Sequence, residues 1–185
     1  MGSARRIYST DETLRDGTVI GIREIRADDK LLLLDHFRRL TAHSSYLRFF
    51  SPRRRFSERD LAAFTELDFI RSVALVGTVR DGDAERIVGL AQYVVTDRSS
   101  SSADLACSVS DDYQGRGIGA LLLEQVLRFA REHGVDRFEA DVLSENAKML
   151  GLFEQNGLAR HRSVDSGVVH LTFSGDEADH FLAAA

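Results

Sequence analysis

A chain of 185 residues, 43% of them hydrophobic, is long enough for one domain to bury a full core without disulfides or a structural metal. Its net charge of −5 gives no electrostatic ground for nucleic-acid binding, and its single cysteine, Cys107, excludes an internal disulfide framework. No apolar run approaches the ~18 residues of a membrane span and no signal-peptide core opens the chain, so the expectation is a cytoplasmic protein with no membrane partner.

Residues 1–16 are mixed and polar and read as a loose N-terminal arm. Thr18–Arg26 alternates apolar and polar residues as a strand does. Ala27–Asp28–Asp29 opens a helix running to about Leu40, acidic at its start and ending in Arg38–Arg39, as the helix dipole favours. The stretch TAHSSYLRFFSPRRRFSERDL contains Pro52 and a capping box, Ser57 to Asp60, that starts a second helix. Arg71–Arg80 and Arg86–Thr96 are strands joined at Asp81–Gly82–Asp83. Past the polar DRSSSS tip, Ala103–Ser110 completes a three-stranded meander. Gly117–His133 is a helix striped by Ile118, Leu122, Val126 and Phe129 and closed by Gly134. Arg137–Leu143 is a strand, and Asn146 caps a shorter helix carrying Met149, Leu150 and Phe153 and closed by Gly157. Leu158–Val164 and Val168–Phe173 form a last hairpin around Asp165–Ser166–Gly167. No repeat or linker divides the chain, so one domain spans 17–175 and a tail covers 176–185.

The stretch SVSDDYQGRGIGALLLEQVLRFA places three glycines between a strand and a helix N-terminus. Free amides converge there and the dipole favours an anion. Three readings compete: a tight turn with no ligand, a dinucleotide site and an acyl-CoA site. Gly115, Gly117 and Ala120 fit G-x-G-x-x-A, with Glu139 or Asp141 where a ribose acid belongs. A dinucleotide fold, however, opens on that motif instead of following a meander with it. A P-loop fits worse, because no Gly-Lys-Ser/Thr follows.

VSDDYQGRGIGA resembles the pyrophosphate motif Q/R-x-x-G-x-G/A of the GNAT superfamily of N-acetyltransferases, with Gln114, Gly117 and Gly119 in its signature places. SENAKMLGLFEQNGL is similar to that family's second segment, and the element order from about 18 to 173 agrees. The resemblance implies an α/β (α+β) GNAT fold: one mixed, mostly antiparallel sheet flanked by helices, with a strand pair splayed at the cofactor. It implies acetyl-CoA as donor, its pyrophosphate wrapped by the amides of Gly115, Arg116, Gly117, Ile118, Gly119 and Ala120. The Cys107–Val109 strand would pair with the pantetheine arm, Asn146 would bond near it or act only as a helix cap, and the Val109 amide would polarise the thioester. Arg116 reaches a phosphate or is simply solvated.

Within the family, SSYLRFFSPRRRFSERDL and the glycine turn resemble the bacterial branch that acetylates lysines of acyl-CoA synthetases. That branch has a glutamate where this chain has Asp104, the candidate general base; Glu66, Glu139 and Asp141 are reserves, and a solvated edge carboxylate is the plain alternative. Phe153 stands where the family often has a tyrosine that protonates the leaving thiolate, and Tyr113 is a poor substitute. Cys107 is a core residue or an acyl carrier. His43, Tyr46, Arg48 and Arg53–Arg55 form a basic, aromatic stretch that borders the acceptor or lies in a solvated loop. The six histidines show no metal spacing, so no metal is expected. The reading is acetyl transfer to a protein lysine, with a small-molecule amine acetyltransferase and a non-catalytic acyl-CoA sensor as alternatives. The last two strands leave a homodimer open.

Overall fold

The computed structural model describes residues 8–51, 55–82, 84–97 and 101–178. Eight strands form one sheet: β1 (Ser9–Thr13), β2 (Val19–Glu24), β3 (Ser72–Asp81), β4 (Ala84–Asp97), β5 (Ser102–Val109), β6 (Arg137–Leu143), β7 (His161–Asp165) and β8 (Val168–Ser174). Their order is β1-β2-β3-β4-β5-β6-β8-β7, and every pairing is antiparallel except β5 with β6. Five helices flank it: α1 (Lys30–Arg39), α2 (Ala42–Phe49), α3 (Glu58–Thr65), α4 (Ile118–Glu132) and α5 (Ala147–Gln155).

Strand alternation divides the core between the two sheet faces. Leu33 and Phe37 of α1 and Leu61 of α3 pack with Ala74, Val76, Ile87 and Leu90 on one face. The α4 stripe, Ile118, Leu122, Val126 and Phe129, packs with Val73, Leu75, Val88, Ala91 and Leu105 on the other. Burying each of the valine, leucine, isoleucine and phenylalanine side chains among them stabilises the fold by about 1.5–3 kcal/mol. The register of β3 on β4 slips between Gly77 and Thr78, leaving Val88 as an extra residue. That bulge lies one residue from Gly89, where a Cβ would stand 2.6 Å from Leu122 Cδ1, so glycine there is what lets α4 approach the sheet.

Three expectations change. The expected loose arm contains β1, a polar strand that pairs with β2 from Ser9↔Arg23 to Thr13↔Val19. Tyr8 just before it donates through its hydroxyl to Gln125 Oε1 of α4, 2.5 Å away. The TAHSSYLRFF stretch forms α2, capped where Thr41 Oγ1 accepts the Ser44 amide at 3.1 Å. The Phe37 ring packs against Phe49, Phe56 and Phe64 at centroid distances of 5.2, 4.7 and 5.3 Å, which pins α1, α2 and α3 together. The expected tail begins as a helical turn at 175–178, and Ala178 is buried in the core. Pro52, Arg53, Arg54 and Asp83 lie outside the described residues. The predicted capping box is present, with Ser57 and Asp60 bonding each other's amides.

Candidate active site

β5 and β6 pair only at Ser102↔Arg137, Ala103↔Phe138 and Asp104↔Glu139. Beyond that rung β5 stays with β4 as far as Gly89↔Val109, while β6 stays with β8 as far as Leu143↔Val168. The two strands therefore part, as expected of the splayed pair. The Ser110 amide donates to Val88 O of β4 at 2.9 Å, and successive strand residues aim their backbone groups at opposite neighbours. The backbone groups of Cys107 and Val109 thus face the gap, where no strand pairs with them.

A cleft of about 850 Å³ runs from this gap to the start of α4. It brings together Cys107, Val109, Gln114, Gly115, Gly117, Ile118, Gly119, Ala120, Asn146 and Phe153. Gly115 and Gly117 hold φ of +77° and +90°, in the left-handed region that disfavours any Cβ. Gly117 is the N-cap of α4 and offers no side chain, so the first-turn amides stay open to an anion. Gln114 ties the ends of the cleft together: its Nε2 donates to Val109 O at 3.1 Å and its Oε1 accepts from Lys148 Nζ at 2.9 Å. Asn146 Oδ1 accepts the Met149 amide at 3.2 Å, so it is a helix cap and also lines the cleft. Phe153 is buried against Phe173 and presents a phenyl wall with no proton to give.

Arg116 is the exception among the expected cofactor residues. Its guanidinium donates to Asp112 O at 3.1 Å, lies 3.5 Å from Asp16 and covers the Tyr113 ring at 4.8 Å, which holds it away from the cleft lining. Lys148 lines the cleft instead. Sequence reasoning missed it, although it is one of only two lysines in the chain and sits two residues after Asn146.

Asp104 lines a second cavity of about 510 Å³ together with Arg48, Glu139 and Asp141. The cavities meet: both are lined by Arg48, Leu105, Ala106, Ala140 and Asp141. Desolvation, then the charges of Glu139 and Asp141, raises the Asp104 pKa above the usual carboxylate value. Glu139 Oε1 accepts from Ser102 Oγ at 3.1 Å, and His170 Nδ1 is 2.7 Å from Asp141 Oδ1. Glu66 belongs to neither cavity. Its carboxylate pairs with Lys30 Nζ at 2.6 Å, which removes it from the reserve bases.

Two groups behind the gap, His36 and Asp111, escaped the sequence, and a third, Arg48, was read there only as part of a basic stretch. His36 of α1 is fully buried, its Nδ1 and Nε2 each 3.0 Å from the hydroxyls of Ser110 and Ser108, so it clamps the end of β5. Burial pulls its pKa down to about 4, and the ring is neutral at pH 7. Asp111 accepts from the Thr41 amide at 3.0 Å and from Ser44 Oγ at 2.7 Å, docking α2 beside the glycine turn. Arg48 of α2 is thereby turned inward to the junction of the cavities, while His43 lines the cleft and Tyr46 does not. Burial pushes the Cys107 thiol up to about 12, with Arg48 opposing, so at pH 7 it is a neutral thiol and not a nucleophile. Among the described residues no group of His, Cys, Asp and Glu could hold a metal, and no helix is long and apolar enough to cross a membrane.

An open sheet split at one strand pair, with an anion-accepting helix N-terminus at the foot of the split, defines an acyltransferase that takes its acyl group from a CoA thioester. The model of the Acetyltransferase (GNAT) family matches residues 40–158, and the chain belongs to that family. It is an acetyltransferase, and the family's donor is acetyl-CoA. Acetyltransferase PA5475 of Pseudomonas aeruginosa is 27% identical over 161 residues, 86% of each chain. Acetyltransferase Pat of Mycolicibacterium smegmatis is 35% identical over 94 residues, which span 51% of this chain but only 28% of that relative. The crystal structure of the GNAT domain of S. lividans PAT superposes with a TM-score of 0.82 at 34% identity, covering 90% of this chain and 96% of that domain.

Proposed function

We propose that this protein transfers the acetyl group of acetyl-CoA to the side-chain amine of a protein lysine, with Asp104 as general base. The observation that carries the reading is the junction itself: a cleft suited to CoA opens, between the parted strands, into a cavity walled by three carboxylates. Those carboxylates attract a cationic acceptor. The likeness to the PAT domain over nine-tenths of the chain supports a protein acceptor over a free amine.

A lysine amine titrates near pH ~10.4 and must lose a proton before it attacks. Asp104, at the rim of the acid-walled cavity and with a raised pKa, accepts that proton directly or through one water. The pyrophosphate lies against the amides of the glycine turn and first turn of α4, with Lys148 beside them. The pantetheine arm pairs with the outward backbone groups of Val109. The Val109 amide was the first candidate for polarising the thioester oxygen. The cavities meet at Leu105 and Ala106, however, so the Cys107 amide is the gap-facing donor next to the reacting carbon, and Val109 serves the arm. The amine nitrogen forms its bond to the carbonyl carbon, the C–S bond breaks, and the electron pair leaves on sulfur.

The test is incubation of the purified protein with acetyl-CoA and cell lysate, followed by mapping of new acetyl groups by mass spectrometry, with Asp104→Ala in parallel. Acetyl-lysine on a few proteins, absent with the variant, is the expected result. Labelling confined to small amines would transfer the reading to a small-molecule acetyltransferase.

A further inference from the structure

We propose that Arg48 is a catalytic residue whose guanidinium stabilises the CoA thiolate as it leaves, replacing the proton donor that Phe153 cannot be. The inference rests on the acetyl-transfer reading above and deepens it at the same site.

Arg48 lines both cavities at their junction, where the thioester must lie for an amine in the acidic cavity to reach it. Its Nε is buried with no hydrogen-bond partner. No ion pair reaches it among the described residues, although Asp104, Glu139 and Asp141 share its cavity. Among the described residues it lies over the neighbouring Phe49, whose ring centroid is 5.1 Å from the guanidinium carbon. Arg48 as a whole is only partly buried, so its guanidinium reaches into the cavities while its Nε, shut off from solvent, is left without a partner. A cation placed so is free to meet an anion that a ligand brings. Burial lowers the Arg48 pKa only to about 10, so the group stays charged at pH 7, and its field reaches both Cys107 on β5 and His36 on α1.

The reaction supplies that anion in the right place and at the right moment. Acetyl-CoA brings no negative charge to this junction; its phosphates sit at the far end of the cleft, by Gly115–Ala120. Charge develops at the thioester only as the nitrogen attacks, first on oxygen and then on sulfur. A fixed cation there stabilises the transition state more than the bound substrate, which is what raises kcat. Asp104 takes the ammonium proton before attack, and the second proton, acidic once the nitrogen is acylated, passes to solvent. The electron pair of the broken C–S bond rests on sulfur beside Arg48, and solvent protonates that thiolate after release.

The experiment compares wild type with Arg48→Met and Arg48→Lys by three readouts. With acetyl-CoA and a lysine-containing acceptor, kcat of Arg48→Met falls about 10²-fold or more, KM for acetyl-CoA stays within about threefold, and Arg48→Lys falls between. Tm of Arg48→Met stays within a few degrees, because the partly exposed guanidinium makes no ion pair among the described residues that the change would break. Finally, CoA itself is bound to each protein and its thiol titrated by thiolate absorbance, corrected for the protein alone. Below the midpoint of the free thiol, the thiolate fraction is about tenfold higher on wild type than on Arg48→Met, one unit of pKa. Full kcat in Arg48→Met, a loss confined to KM for the acceptor, or equal thiol titrations overturns the proposal. Absent turnover in wild type with a retained difference in thiol titration overturns the acetyl-transfer reading alone. Failure of the wild type to bind CoA overturns both.

Discussion

Asp104 and Glu139 face each other across the last rung that joins β5 to β6, and past them the sheet divides. The same rung therefore ends the ladder, places two carboxylates side by side and marks where donor and acceptor cavities meet.

Replacing Asp104 by Asn lowers kcat/KM about 10²- to 10⁴-fold, the range for loss of a positioned base. Glu139→Gln and Asp141→Asn remove the charges that help raise the Asp104 pKa. In each of them the acidic limb of the pH–rate profile moves to lower pH, because Asp104 then ionises sooner. A limb that does not move in either variant assigns the base elsewhere.

Gly117→Ala places a Cβ at φ of +90°. The strain costs about 1–2 kcal/mol, which lowers Tm by a few degrees in a domain of this size. Because the turn also aims the α4 amides, affinity for acetyl-CoA falls at least about tenfold by titration calorimetry. Gly151→Ala on α5, with only Gln155 Nε2 at 4.0 Å from its Cβ position, leaves Tm within a degree or two or raises it.

His36 gives the fold a pH dependence of known sign. Its pKa falls from 6.5 unfolded to about 4 folded, so the unfolded chain binds more protons in that interval. Its contribution is complete above pH 6.5 and is lost as the pH falls toward 4, by about 3 kcal/mol at most. Tm recorded against pH shows this slope in wild type. His36→Leu loses that slope and has a lower Tm at pH 7, since the hydroxyls of Ser108 and Ser110 lose their partner.

Cys107 carries no acetyl group during turnover. With its thiol pushed up to about 12, its thiolate fraction at pH 8 is on the order of 10³-fold below that of an ordinary cysteine. Rapid quench with acetyl-CoA and mass spectrometry of the intact protein shows no acetyl-cysteine, and iodoacetamide labels Cys107 slowly. An acetylated Cys107 peptide would replace direct attack with a two-step route.

The elements with strong local signals were legible in the chain. The α4 stripe of Ile118, Leu122, Val126 and Phe129 is buried as its spacing predicts, and β6 occupies Arg137–Leu143 as read. The cofactor-side residues from Gln114 to Ala120 also reach the cleft, except Arg116, whose side chain prefers Tyr113 and Asp16. β1 was hidden because STDET carries no apolar face; it is a strand only because β2 offers an open edge. α2 was hidden because eight residues give a helical period too little length to show itself. Arg48 looked like one more cation in a basic run until α2 turned it inward.

By itself the sequence determined the segments and the glycine turn, since caps, left-handed glycines and apolar periods act within about ten residues. The tertiary structure decided the working parts of the site. Asp104 meets Glu139 across 35 positions of chain, and Arg48 meets both cavities only after Asp111 docks α2. Such meetings depend on strand register and on where the ladder stops. Register follows from burying one whole face of each strand against distant partners, and no window of local sequence contains that information.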